Sequence, residues 1–142
     1  MTDNVLLAAK ALSAREQAYA PYSGFRVGAA LLAKDGSIYT GCNIESISYS
    51  PTNCGERTAF FTAVAAGQRQ FEAIAIAGGK GDQPEDYCYP CGVCLQVMLE
   101  FCDPESFAVI IAKTSEDYRR YLLKELLPYG FSPANVKLGH PL

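Results

Sequence analysis

Three thiols constrain what this chain can fold into more than any other feature: one at Cys54 and a pair at Cys91 and Cys94, each at the start of an apolar run. The first run opens with Thr52-Asn53-Cys54-Gly55-Glu56-Arg57, which places a thiol, a carboxylate and a guanidinium within four residues. The second opens with Tyr89-Pro90-Cys91-Gly92-Val93-Cys94. Both read as helix N-termini, with Asn53 as an N-cap and Pro90 at a first helical position, where its missing N–H costs nothing. Cys91 and Cys94 then share one helix face at i, i+3. A fold that uses both stretches must bring two helix starts together. Three thiolates leave a tetrahedral zinc with one open position, the pattern of a catalytic rather than a closed structural site.

A zinc ion carrying three thiolates is short of positive charge, whereas a hydrolytic zinc must lower the pKa of water toward 7. Arg57 and the positive ends of two helix dipoles are placed to offset the thiolates. Glu56 has a modest reading as the N3 member of a capping box with Asn53. Beside Cys54, however, a carboxylate two residues along can take a proton from a zinc-activated water and return it to substrate. A buried or redox dithiol at Cys91 and Cys94 leaves Cys54 unexplained. Cys42, Cys88 and Cys102 read as small buried or half-buried side chains, and Cys88 is the one rival ligand.

Cys54-x-Glu56 followed by Pro90-Cys91-x-x-Cys94 matches the signature of the zinc nucleobase deaminases. From end to end the chain resembles the small three-cysteine cytidine deaminases. The likeness runs through Ala20-Pro21-Tyr22-Ser23-x-Phe25-x-Val27-Gly28-Ala29-Ala30-Leu31, Gly41-Cys42-Asn43-Ile44-Glu45, both thiol stretches, and Leu126-Leu127-Pro128-x-x-Phe131. The resemblance implies hydrolytic deamination of cytidine and 2′-deoxycytidine in pyrimidine salvage, with one zinc per chain and Glu56 catalytic. It implies substrate contacts from Phe25 against the pyrimidine, from Asn43 and Glu45 to the ribose, from Gly55, and from Phe131 in a neighbour's site. It further implies a homotetramer with shared active sites. Gln96 is either a solvated amide or, by resemblance alone, a support behind the thiols. Two positions depart from the family: Gly55 stands where Ala is more frequent, and Leu95 where an Arg commonly follows the second thiol. The alternatives are a deaminase of another aminopyrimidine nucleoside, of the blasticidin type, and a non-enzymatic zinc or iron–sulfur module on Cys88, Cys91 and Cys94.

The 142 residues suit one domain, 1–142. With 12 basic against 15 acidic side chains and no basic run, nothing favours binding to a nucleic-acid backbone. The N-terminus lacks a signal peptide's basic region, and no apolar stretch reaches the roughly 20 residues needed to span a membrane. A cytoplasmic setting is expected, where six cysteines are reduced or metal-bound rather than paired. His140, the only histidine, lies too near the C-terminus to anchor a nucleophilic triad.

Apolar spacing predicts a helix over 4–19, stopped by Pro21, and then a hairpin of strands 25–33 and 38–42 about Asp35-Gly36. A helix over 54–66 ends at Gly67. Strands are expected at 71–77, 107–112 and 118–123, and a helix at 91–101. A helical turn at 124–127 ends at Pro128. Gly78 to Asp82 reads as a flexible turn without the spacing of a phosphate-binding loop. The alternation implies a three-layer α/β/α sandwich around a mixed sheet of about five strands.

Overall fold

Asp3 starts the first helix, its carboxylate accepting the Leu6 backbone N–H at 2.7 Å. The computed structural model, which describes residues 3–136, has helix α1 over Asn4–Ala14, continued by a 3-10 turn at Arg15–Gln17. Strands β1 (Arg26–Ala33) and β2 (Ile38–Cys42) form the antiparallel hairpin, in register from Gly28 opposite Cys42 to Leu32 opposite Ile38. At its tip Gly36 takes φ +92 and the Asp35 carboxylate accepts the Ser37 N–H at 2.9 Å, the geometry that Asp-Gly supplies most readily.

Helix α2 (Gly55–Ala65), strand β3 (Phe71–Gly79), helix α3 (Gly92–Phe101) and strands β4 (Ala108–Ala112) and β5 (Tyr118–Leu122) follow, with short helices α4 (Leu123–Leu126) and α5 (Pro133–Val136) after them. The five strands form one mixed sheet in the order β2-β1-β3-β4-β5. Only β3 and β4 are parallel, so their connection must cross over the sheet, and α3 is that crossover.

The continuous apolar runs of β1, β3 and β4 follow from burial on both faces. On one face Leu7, Ala8 and Ala11 of α1 pack against Ala30, Leu32, Ala73, Ala75, Ala77 and Ile110. On the other, Phe60 of α2 and Cys94, Leu95 and Met98 of α3 pack against Leu31, Ile74, Ile76, Val109 and Ile111. Burying each large apolar side chain there contributes about 1.5–3 kcal/mol. Phe60 also meets Phe71 edge-on, with ring centroids 5.2 Å apart. Two bare backbones set the spacing: a Cβ at Gly28 would overlap the Ala11 carbonyl and the Arg15 amide, and one at Gly41 would come within 2.6 Å of the Gly55 carbonyl.

Several expected boundaries move. The first helix stops short of 19 because the chain tightens at Arg15. Gly78 and Gly79 extend β3 instead of turning, since β1 pairs with them from Val27 and Arg26. Asn53 and Pro90 are not the cap and first helical residue; the N-cap of α2 is Cys54, one residue later, and the first helical residue of α3 is Gly92, two residues later, with Cys91 as its N-cap. The helical turn expected at 124–127 begins one residue earlier and ends at Leu126. His140 lies outside the described residues.

Candidate active site

Both N-cap cysteines have extended backbones, with ψ 155 at Cys54 and 168 at Cys91, and neither thiol caps its helix. The two helix starts therefore present free sulfurs to each other. Cys54 Sγ lies 3.9 Å from Cys91 Sγ, and Cys91 Sγ lies 3.5 Å from Cys94 Sγ, one turn into α3. All three sulfurs fall within 4.8 Å of one another. Tetrahedral zinc–thiolate bonds of about 2.3 Å place sulfurs about 3.8 Å apart, so this donor set fits zinc in number, softness and spacing. Cys88 is not in the convergent group. Burial pushes its thiol up to about 11, as in an inert half-buried cysteine.

Arg57 donates from Nη2 to Cys54 Sγ at 3.2 Å, the offset for thiolate charge that its position suggests. Its Nε is buried without a protein partner. The Cys54 thiol is held down to about 5, first by the neighbouring Cys94 thiol and then by Arg57, against the opposing effect of burial. Cys94 shifts the other way, raised by the neighbouring Cys54 thiol and by its own burial.

Glu56 is 5% exposed. Loss of water pushes its carboxyl up to about 7, the Cys54 charge acts in the same direction, and its own backbone N–H, Cys94 and Arg57 pull the other way. With Cys54 as N-cap, Glu56 occupies N2 rather than N3, and Asn53 donates instead to Thr58 Oγ1 at 3.1 Å. The capping-box geometry is therefore absent. A buried carboxyl that can titrate near neutrality, beside three thiols, is equipped to accept and return a proton.

Asn43 Oδ1 accepts the Val27 N–H at 2.9 Å and its Nδ2 donates to the Phe25 carbonyl at 2.8 Å, leaving one donor and one acceptor position free. Glu45 accepts the Tyr22 and Ser23 N–H groups at 3.0 and 3.1 Å and the Ser23 hydroxyl. It lines a hollow of about 400 Å³ with Tyr22, Ser23, Ser46, Tyr49 and Thr52. Phe25 is 36% exposed and its ring rests beside Gly78, where a Cβ would stand 3.1 Å from its edge. Gly55 meets β1 closely, and a Cβ there would stand 3.1 Å from the Val27 carbonyl. Phe131 is 66% exposed, its carbonyl held by Gln96 Nε2 at 2.6 Å. Leu95 is buried in the α2–α3 core. Sequence reasoning missed Ser23, whose hydroxyl joins Glu45 to the Phe25 N–H; the usable signal was a Pro-x-Ser turn in which serine bonds two residues on.

A model of the cytidine and deoxycytidylate deaminase zinc-binding region matches residues 1–110. A cytidine deaminase of Sporosarcina psychrophila is 51% identical over 130 residues, covering 92% of this chain and 92% of the relative. One of Halalkalibacterium halodurans is 47% identical over 135 residues, covering 94% and 98%. The crystal structure of cytidine deaminase from Burkholderia pseudomallei superposes with a TM-score of 0.83 at 44% identity, covering 92% of this chain and all of that one. That of the Mycobacterium tuberculosis enzyme gives 0.79 at 36%, covering 93% and 99%.

Proposed function

The chain belongs to the cytidine and deoxycytidylate deaminase family, and from that premise we propose that residues 1–142 form one catalytic domain with its reaction centred on Glu56. The reaction is the zinc-dependent hydrolytic deamination of cytidine: water adds, uridine and ammonia leave. Cys54, Cys91 and Cys94 would hold the zinc, which when bound would supply the Lewis acidity that makes water nucleophilic near neutral pH. Glu56 takes a proton from the attacking water and delivers it to ring N3 as oxygen bonds to C4. It then carries the remaining hydroxyl proton to the exocyclic amine, the C4–N bond breaks, and the oxygen stays on the uracil ring. Arg57 spreads the negative charge of Cys54.

The observation that carries this reading is the convergence of three thiols at the start of the helix that bears a buried carboxyl, Glu56, two residues after Cys54. Phe25 is the wall against the base, Gly55 borders the ring, and Asn43 and Glu45 grip the ribose; 2′-deoxycytidine is taken as well. Phe131 completes a neighbour's site in a homotetramer. Its exposure favours that role, as does the apolar hollow of about 470 Å³ that Phe61, Val93, Val97 and Phe101 leave on the α2–α3 surface. Among the described residues no helix is long and apolar enough to cross a membrane, and the net charge of −3 does not favour a nucleic-acid backbone as partner. A cytoplasmic nucleoside enzyme accords with both. The deciding experiment follows cytidine conversion to uridine by ultraviolet absorbance, before and after zinc is stripped and restored. Zinc-replete protein that leaves cytidine unchanged would sink the reading.

A further inference from the structure

Arg15 is a charged residue near the end of α1, yet it is only 3% exposed, and no carboxylate lies within ion-pair distance of it among the described residues. Its guanidinium is spent on backbone carbonyls: Nε donates to Arg26 at 3.1 Å, Nη1 to Asp82 at 3.1 Å, and Nη2 to both Gly79 and Gly81 at 2.8 Å. Burial lowers its pKa, and neighbouring Arg26 adds to that effect. A cation held this way is costly unless its geometry is used.

The four carbonyls belong to two segments that meet at Phe25. Arg26 follows Phe25 directly, and Asn43 holds the groups on either side, the Phe25 carbonyl and the Val27 N–H. Gly79 follows Gly78, the bare backbone against which the Phe25 ring edge lies. The planar fork of Arg15 therefore pins both the strand that carries the ring and the strand end on which the ring rests. Its own position is fixed in turn, because its backbone amide packs directly on Gly28, where a Cβ could not fit. We infer that Arg15 is a positioning residue for substrate recognition, which reaches around the sheet end from the helix on the far face and fixes the Phe25 wall against Gly78.

This inference rests on Phe25 being the base-facing wall. Lysine at this position keeps the charge but has a single nitrogen, which cannot reach four carbonyls in a fork. Arg15→Lys should raise KM for cytidine, and the dissociation constant of uridine, on the order of tenfold, with kcat and zinc content little changed, since the loss is of uniform binding. In a Phe25→Ala background the same substitution should change KM less than about threefold, because residues acting through one another are not additive.

A lowered Tm with parental KM and uridine affinity would leave Arg15 a mere structural clamp and overturn the inference. So would full multiplication of the Arg15 and Phe25 effects. Phe25→Ala with parental KM would remove the wall reading itself, and the inference with it. Parental protein inactive on cytidine would instead be a failure of the activity, and uridine binding would still score the clamp. Should Arg15→Lys fail to fold, Arg15→Gln, which keeps two donors and buries no charge, serves in the same comparison.

Discussion

The two faces of the sheet are built from different materials. Against α1 the sheet is lined mainly by alanines, and the helix comes close enough to touch the backbone of Gly28. Against α2 and α3 the lining is of large aliphatic and aromatic side chains, and there both helix starts open onto the thiols and Glu56. The alanine face fixes a distance; the aromatic face also fixes a direction, because wide side chains packed at native density leave few ways to orient the helices they hold. Chemistry sits on the face where orientation is over-determined, and the other face contributes through Arg15, at the sheet's end.

Removing a sulfur tests that division most severely. Cys54→Ala, Cys91→Ala and Cys94→Ala should each fail to retain zinc and lose turnover, whereas Cys88→Ala should keep both; metal analysis beside the assay decides it, and the reverse result at Cys54 and Cys88 would refute the assignment. Next in size is Glu56→Gln, which keeps the fold, zinc and uridine binding but cannot accept a proton. Its kcat should fall by about 10²–10⁴-fold, toward the upper end because one group serves several transfers. Turnover within about tenfold of the parent would end the catalytic role of Glu56, since that is below the usual range for a general acid or base.

Crowding each face in turn sharpens the contrast. Gly41→Ala and Gly28→Ala should both cost about 1–3 kcal/mol in denaturant unfolding. Only Gly41→Ala, which pushes on the first turn of α2, should also weaken zinc retention; Gly28→Ala, which displaces Arg15, should raise KM instead. If both lose zinc alike, the faces are not independent. The smallest effect is expected at the exposed rim: Phe131→Ala should raise KM for cytidine about tenfold, as for loss of one base–aromatic stack, and leave zinc content unchanged. Mixing it with Glu56→Gln protein and finding activity above the separate samples would support a site shared between chains.

Most of the frame was legible because it obeys local rules. Asp35-Gly36 supplies its own turn, the apolar runs of β3 and β4 could be buried only in a sheet covered on both faces, and Gly67 takes φ +99 just past α2. The ligands were legible because thiol spacing has few other uses. The caps were misread because capping rules reward side chains that bond to the helix, as an asparagine does, whereas Cys54 and Cys91 occupy the caps without bonding to it. Arg15 was passed over because a charge in a last helical turn ordinarily faces water. Nothing local reveals that four carbonyls from distant segments converge on it. The Gly78-Gly79 pair looked like a turn because glycine weakens strands, yet here β1 and the Phe25 ring need bare backbone beside them.

The crossover through α3 also sets when the thiols can meet. Cys54 and Cys91 are 37 residues apart, and β3 lies between them, pairing β1 on one edge and β4 on the other. As the chain leaves the ribosome the first thiol emerges well before its partners, and the three converge only when the central strands have been synthesised and joined. Metal capture is then a closing event rather than a nucleating one, unlike a zinc finger whose ion organises a few neighbouring residues.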